Sequence, residues 1–132
     1  MIAHLSTLPN VPQKAEQLLS HVVNAYDIWF ARLHKKKQRF DLFAVRKTNE
    51  NREAFMELRE WFMEELIKYK DLEQVISYTS TEGKAYKSLR KEIYYHLVNH
   101  GNYHLAQINL VLSQNGLKPA VLDFIVYTRK EA

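Results

Sequence analysis

Hydrophobic positions recur at a spacing of three to four residues in three long stretches of the chain. The first stretch runs from Pro12 to about His34, and its apolar side chains at this spacing are Leu18, Leu19, Val22, Ala25, Trp29 and Leu33. This period predicts a helix that buries one face. Pro12 suits its first turn because proline has no N–H to leave unbonded there. Residues 35–47 show no clear period, which predicts a loop.

The second stretch begins at Thr48 or Asn49, and either residue can cap the start of a helix. Glu50 and Glu53 lie in its first turn, where a carboxylate meets the positive end of the helix dipole. We expect this helix to end near Asp71, with a buried face made of Phe55, Leu58, Phe62, Leu66 and Tyr69.

Between residues 74 and 87 the period changes to two, and Glu82 and Gly83 can form a turn, which predicts a short β-hairpin. From Ser88 the helical period resumes, with one face made of Leu89, Ile93, Leu97, His100, His104, Ile108, Val111 and Leu112. On this pattern, His100 and His104 occupy core positions.

The last helix is predicted to stop at Asn115 and Gly116, because glycine accepts the left-handed conformation that ends many helices. Pro119 then prevents its continuation. We expect the apolar tail from Ala120 to Arg129 to pack as a short helix or as an extended lid. Together these elements predict an all-α helical bundle with a small hairpin before the last long helix.

Length and composition narrow the class of protein. The 132 residues fit one domain, 1–132, and 46% hydrophobic residues exclude a disordered chain. The absence of cysteine excludes disulfides, thiolate metal sites and a cysteine nucleophile, and leaves His, Asp and Glu as metal ligands. No segment is apolar enough to span a membrane, and residues 1–8 lack an export signal, so a cytoplasmic protein is predicted.

The net charge of +4 raises the question of nucleic-acid binding. Its one basic run, Lys35 to Arg39, follows a helix and precedes Phe40 to Phe43, which we expect to form a loop that tucks its aromatic rings inward. A solvated helix end and loop explains the run, so nucleic-acid binding is not expected. The contrary hypothesis predicts affinity that falls steeply with salt.

The most specific chemical signal is a series of histidines. His96, His100 and His104 follow at four-residue spacing, which brings neighbouring imidazoles to one side of a helix at chelating distance. The helical stripe favours the His100 and His104 pair over the pair with His96, which lies at its edge. His21, in another predicted helix, is the best candidate for a third ligand. The alternative is a set of core histidines bonded to backbone or to tyrosines.

Three histidines leave a tetrahedral ion one open position, the arrangement of a catalytic metal. Asp27, Glu92 or a residue of the tail is a candidate for a fourth ligand, which would close the site. Gly101 lies between the two favoured histidines and costs the helix about 0.5–1 kcal/mol relative to alanine. Close approach of another helix or of a ligand would explain it, and so would simple tolerance.

The chain resembles the DinB/YfiT-like superfamily of metalloenzymes over about Leu8 to Arg129. The matching motifs are His21-x7-Trp29-x2-Arg32 and Asn99-His100-x3-His104-x2-Gln107, followed by the segment from Asn115 to Asp123. The resemblance implies an up-down bundle of four helices, frequent homodimers and a metal triad of His21, His100 and His104. The metal it implies is nickel or zinc.

The same resemblance implies thiol-dependent S-transfer or isomerisation with a low-molecular-weight thiol such as bacillithiol or mycothiol, although many members have no established reaction. Only Met1 to about Thr7 precede the matching region. The first helix of the family is therefore expected to be largely missing. A late start, or cover by a partner subunit, would account for that.

We therefore expect a metal-dependent enzyme that acts on a small-molecule substrate, either as a thiol-dependent S-transferase or as a hydrolase. In this mechanism the ion lowers the pKa of a bound thiol or water and so supplies the nucleophile. The alternative is a non-catalytic helical module that binds or senses metal. An open coordination position facing a cavity would favour the enzyme, and a buried site without a pocket would favour the module.

Overall fold

The computed structural model describes residues 1–130. Its elements are α1 (Ile2–Leu5), α2 (Gln13–His34), α3 (Thr48–Lys68), β1 (Val75–Thr79), β2 (Ala85–Leu89), α4 (Arg90–Gln114) and α5 (Phe124–Thr128). The fold is therefore mainly α-helical with one small sheet, as predicted. Within the described residues, none of the helices combines the length and the apolar character that crossing a lipid bilayer requires.

Helix α2 is the central element, since it packs against both α3 and α4. Pro12 precedes its first residue, and Lys35 ends it in a left-handed conformation with φ of 52°. Three clusters of buried side chains surround it: Leu5, Ala15, Leu19, Ile108 and Leu112; Val23, Phe30, Ala54 and Leu58; and Leu33, Ile76, Ile93 and Leu97.

Helix α3 begins one residue from the prediction, with Lys47 as its N-cap residue, whose backbone N–H donates to the Glu50 carboxylate at 2.8 Å. The predicted buried face was wrong at Leu66, whose side chain is 48% exposed, while the adjacent Glu65 is 2% exposed. Leu58 is buried as expected. The buried face of α3 therefore includes the charged residue Glu65, because its polar partners lie on α2 and α4.

Glu65 is the centre of a buried polar network that joins α2, α3 and α4. One carboxylate oxygen pairs with the guanidinium of Arg90 and accepts a hydrogen bond of 2.8 Å from the hydroxyl of Tyr94. The other lies 2.7 Å from Nε2 of His34. Arg90 also donates to the Gln74 side chain at 2.5 Å. This network ties one end of the three long helices to the segment that leads into the hairpin.

The structure contains the β-hairpin that the change to a period of two predicted. Strands β1 and β2 pair antiparallel, with Val75 opposite Leu89 and Thr79 opposite Ala85. Gly83 makes the turn with φ of 79°, a conformation that other residues rarely adopt. Gly116, with φ of 69°, follows the end of α4 at the predicted stop.

The tail forms a short helix as predicted, but the side chains of this helix are not packed as expected. In α5, Phe124 is 79% exposed, and Ile125 and Tyr127 are also largely exposed. The backbone before it is nevertheless held, since Asn109 exchanges two hydrogen bonds of 2.8 and 2.9 Å with Ala120. The anchored part of the tail therefore ends near Ala120, and among the described residues beyond it most apolar side chains are exposed.

Gly101 allows α2 and α4 to approach each other closely. A Cβ atom at this position would collide with the Tyr26 hydroxyl oxygen and would lie 3.5 Å from Cζ of the same ring. That hydroxyl donates to the backbone carbonyl of Leu97 at 3.3 Å. Of the explanations offered for this glycine, close approach of another helix is therefore the one that the structure supports.

The Gly101→Ala variant is expected to lower the free energy of unfolding by about 1–3 kcal/mol, the usual penalty for overpacking. In a Tyr26→Phe background the colliding oxygen is gone, and the ordinary helix advantage of alanine, about 0.5–1 kcal/mol, should emerge. Urea unfolding of the four proteins of this cycle measures the coupling. Equal effects of Gly101→Ala in both backgrounds would refute the assigned contact.

Candidate metal centre

The fold brings together three of the histidines singled out in the sequence. His21 projects from α2, while His100 and His104 project from successive turns of α4. The His21 ring centroid lies 5.2 Å from that of His100 and 4.7 Å from that of His104, and the latter two rings are 4.5 Å apart. One ligand nitrogen from each ring lies within 4.8 Å of the other two. Nitrogens this close to one another are candidates to bind one ion, for which the Zn–N distance is about 2.0–2.1 Å.

The expectation that His100 and His104 are core residues needs correction. Both are half-buried, as is His21, whereas Leu97 and Ile108 on the same helix are buried. The three rings lie at the edge of the interface between α2 and α4, where the packed side chains give way to open grooves.

Hydrogen bonds at the outer nitrogens orient two of the rings. Nδ1 of His104 lies 2.8 Å from the side-chain oxygen of Gln107, and Nδ1 of His21 lies 3.4 Å from the backbone oxygen of Leu42. Because both oxygens can only accept, each Nδ1 carries the proton and each Nε2 keeps a free lone pair. Partners of this kind commonly fix the tautomer of a metal-binding histidine.

The ring of His100 has a buried nitrogen without a hydrogen-bond partner among the described residues. Its Nε2 atom is buried and makes no hydrogen bond within residues 1–130. An unbonded buried polar atom is costly, which calls for a ligand at this point. Burial, followed by the nearby His104, His21 and His96, lowers the pKa of His100 to about 4.

The protonation state of the cluster suits a metal. Burial and the neighbouring His104 lower the pKa of His21, against a smaller upward effect of the hydrogen bond to Leu42. His21 and His100 are therefore neutral at pH 7, the form in which imidazole binds a metal ion. The fit of these residues to a divalent ion thus rests on free nitrogens, neutral rings and one buried nitrogen that lacks a partner.

His96 lies beside this cluster and outside it. Its ring centroid is 5.4 Å from that of His100 and 5.3 Å from that of Trp29. Burial, and then the charge of Arg32, lowers the pKa of His96. The stripe-based preference for the other two histidines of α4 therefore agrees with the positions of the side chains.

Neither proposed fourth ligand joins the cluster. Asp27 accepts hydrogen bonds from the backbone and the guanidinium of Arg39, and Glu92 accepts one from the backbone of Leu89. Within residues 1–130, no other His, Asp or Glu side chain belongs to the group formed by the three histidines. The donor set thus provides three nitrogens and leaves further coordination positions to solvent or a ligand.

A buried polar edge of α2 places the loop of residues 35–47 against the site. Asn24 donates to the carbonyls of Leu42 and Ala44 at 3.1 and 2.8 Å, and the Ser20 hydroxyl accepts from the backbone N–H of Arg46 at 2.9 Å. These contacts hold the loop so that the Leu42 carbonyl lies beside Nδ1 of His21. The apolar period of the sequence did not predict this arrangement. The available signal was a pair of polar residues at helical spacing, Ser20 and Asn24, in an otherwise buried helix.

Two grooves open on the histidines. The first, here called the Lys14 groove, has a volume of about 400 Å³ and is lined by Lys14, Gln17, Leu18, His21, Phe43, Val45 and His104. The second, called the Arg32 groove, has a volume of about 370 Å³ and includes His21, His96 and His100 together with Trp29, Arg32 and Tyr78. His21 lines both grooves.

The aromatic residues of the loop behave differently from the prediction. Phe40 is half-buried, but Phe43 is 78% exposed and stacks on the His21 ring with a centroid distance of 5.9 Å. The inward tuck was thus wrong for Phe43. Its ring instead forms a wall of the Lys14 groove, which makes it a residue of the site that the sequence did not identify.

Comparison with known families gives a match over nearly the whole chain. The sequence model of the DinB family matches residues 8–131. A comparison with curated proteins found no match. The matched region includes all three clustered histidines and both grooves.

Proposed function

Because the chain belongs to the DinB family, we propose that it is a metal-dependent enzyme whose His21, His100 and His104 bind one divalent ion, nickel or zinc. The observation that carries the proposal is the meeting of three imidazoles around the unpartnered Nε2 of His100. The family match and the histidine cluster are each compatible with a metal site, and the three histidines lie within the matched residues 8–131.

The protein residues have distinct tasks in this proposal. Gln107 and the Leu42 carbonyl hold the rings of His104 and His21 with their Nε2 atoms free. The Phe43 ring limits access of water from one side. When bound, a divalent ion supplies a Lewis acid that lowers the pKa of a thiol or water.

The two grooves support an enzyme over a module that only binds or senses metal. A sensing or structural site is usually closed by protein ligands, whereas a catalytic site keeps an open position. Here the three histidines line grooves of about 400 and 370 Å³. Such volumes accommodate a small-molecule substrate and a second small molecule.

The reaction that we propose is S-transfer from a low-molecular-weight thiol. The chain has no cysteine, so an attacking sulfur has to be supplied by a cosubstrate. In that reaction the sulfur forms the new bond, the thiol proton is released, and the leaving group departs with its electron pair. Hydrolysis is the alternative, with water in place of the thiol.

We also propose one domain, residues 1–132, arranged as an up-down bundle and acting as a homodimer. Each of the three hydrophobic clusters includes residues of α2, which supports a single folding unit. The exposed apolar side chains of α5 support contact with a second copy.

In the basic run from Lys35 to Arg39, Arg39 pairs with Asp27 and Glu57, which favours a structural role over nucleic-acid binding.

Metal content tests the ligand set. Protein purified without an affinity tag and reconstituted with Zn²⁺ or Ni²⁺ should retain about one ion per chain by elemental analysis. His100→Ala should retain little, and His96→Ala, a matched histidine one turn away, should bind as the native protein does. Stoichiometric metal in His100→Ala, or none in the native protein, would contradict the proposal.

Product analysis then separates the two reactions. The zinc-loaded protein is incubated with an alkyl halide in the presence and absence of bacillithiol, and the products are separated by chromatography. S-transfer predicts a thioether that requires both the thiol and the metal, whereas hydrolysis predicts an alcohol without thiol. Rates equal to those of the metal-free protein in both reactions would refute the enzyme.

A further inference from the structure

Arg32 occupies a distinctive position in the groove that bears its name. Its guanidinium carbon lies 4.6 Å from the Trp29 ring centroid and 5.4 Å from that of Tyr78, one ring from α2 and the other from β1. The two rings also contact each other, with centroids 4.9 Å apart. A guanidinium that packs against an aromatic ring keeps the N–H groups at its edge available for hydrogen bonds. The same groove contains His96 and His100.

The charge of Arg32 has no protein counterion. Within residues 1–130, its side chain makes neither a hydrogen bond nor an ion pair. Three other arginines differ, since Arg39 pairs with Asp27, Arg46 with Asn24 and Arg90 with Glu65. A half-buried guanidinium without a partner favours an anion, because its charge-assisted hydrogen bonds are unused.

The surroundings favour a carboxylate over a phosphate. Arg32 is the one permanent cation among the residues that line the groove, and apolar walls are provided by Ala25, Ile28 and Leu42. One planar guanidinium matches one carboxylate in a bidentate pair. A phosphate carries more charge and usually recruits several cations or backbone N–H groups. Thr81 also lines the groove.

We propose that Arg32, packed against Trp29 and Tyr78, is a binding subsite for the carboxylate of a small substrate that extends along the groove toward His100. The His96 ring contacts both the Trp29 ring and the His100 ring, so such a substrate would lie beside it. This inference rests on the proposed function, and it adds the substrate class, namely carboxylic acids.

The fluorescence of Trp29 provides a direct test without a metal. The chain has two tryptophans, so a Trp61→Phe background leaves Trp29 as the single reporter beside Arg32. The metal-free protein is titrated with benzoate and with benzamide, which has the same ring but no charge. We expect saturable binding of benzoate and binding of benzamide that is weaker by about tenfold or more.

Variants locate the binding. Arg32→Gln should weaken benzoate binding by about tenfold or more, and Arg32→Lys by less, because it keeps the charge. Lys14→Gln is the matched control, since it removes a cation from the other groove beside the same histidines. It should bind benzoate as the parent does. Circular dichroism establishes that each variant is folded.

Several outcomes would overturn the proposal. These are equal affinities for benzoate and benzamide, unchanged benzoate binding in Arg32→Gln, or tighter binding of inorganic phosphate than of benzoate. The same titration in His100→Ala separates this inference from the metal site. Benzoate binding that persists there supports the subsite even if the protein binds no metal, and benzoate binding that requires His100 contradicts it.

Discussion

Replacing Glu65 with alanine should lower the free energy of unfolding by about 3–5 kcal/mol, because the change leaves a buried guanidinium without its counterion. The Glu65 side chain is fully buried and that of Arg90 is 3% exposed. Water cannot take over the lost contacts to Arg90, Tyr94 and His34 without entering the end of the bundle. Urea unfolding followed by circular dichroism measures the loss.

The neighbouring residue offers a matched control. Glu64 is exposed, so Glu64→Ala should change the stability by no more than about 0.5 kcal/mol. A second variant separates the charge from the packing. Replacing Glu65 with leucine and Arg90 with methionine removes both charges, and it should be less harmful than Glu65→Ala alone. If Glu64→Ala and Glu65→Ala proved equally mild, the buried network would be refuted.

The same glutamate shows the limit of periodicity as a predictor. On α3 the pattern of apolar residues favoured Leu66 for the core, yet Glu65 is buried and Leu66 is exposed. An apolar stripe predicts burial only when the opposing surface is apolar. The opposing surface here carries Arg90 and Tyr94, which lie 25 and 29 residues further along the chain. No local pattern contains that information.

The tail and the loop illustrate a related limit. Apolar residues in Val121 to Tyr127 and at Phe43 predicted burial, but most of these side chains are exposed. Whether an apolar residue outside the three long helices is buried depends on where the backbone is anchored. The anchors are Asn109 for the tail and Asn24 for the loop, and both act through hydrogen bonds across more than ten residues.

The histidine cluster was more predictable because most of its geometry is local. Spacing of four residues places His100 and His104 together on any helix. Only the contribution of His21 required the packing of α2 against α4. The residues that complete the site are non-local in part, since the Leu42 carbonyl reaches His21 through the loop contacts, whereas Gln107 is one turn from His104.

Zinc should stabilise the native protein by an amount that rises with the logarithm of its affinity for the site. At a free Zn²⁺ concentration of 100 times the dissociation constant, the free energy of unfolding should rise by about 2.7 kcal/mol. His100→Ala removes the central nitrogen of the cluster. If its affinity is weaker by about 100-fold, the gain at the same zinc concentration falls to about 0.4 kcal/mol. Chemical unfolding at fixed free zinc measures both values.

Gln107→Leu should reduce the stabilisation by zinc without lowering the stability of the zinc-free protein. Loss of the hydrogen bond to Nδ1 of His104 removes the partner that orients the ring, and such partners change metal affinity by about 10–100-fold. The gain from zinc should then fall to about 0.4–1.4 kcal/mol, while the zinc-free stability stays within about 0.5 kcal/mol of the native value. His96→Ala should keep the full gain. A full gain in His100→Ala would show instead that zinc binds elsewhere on the chain.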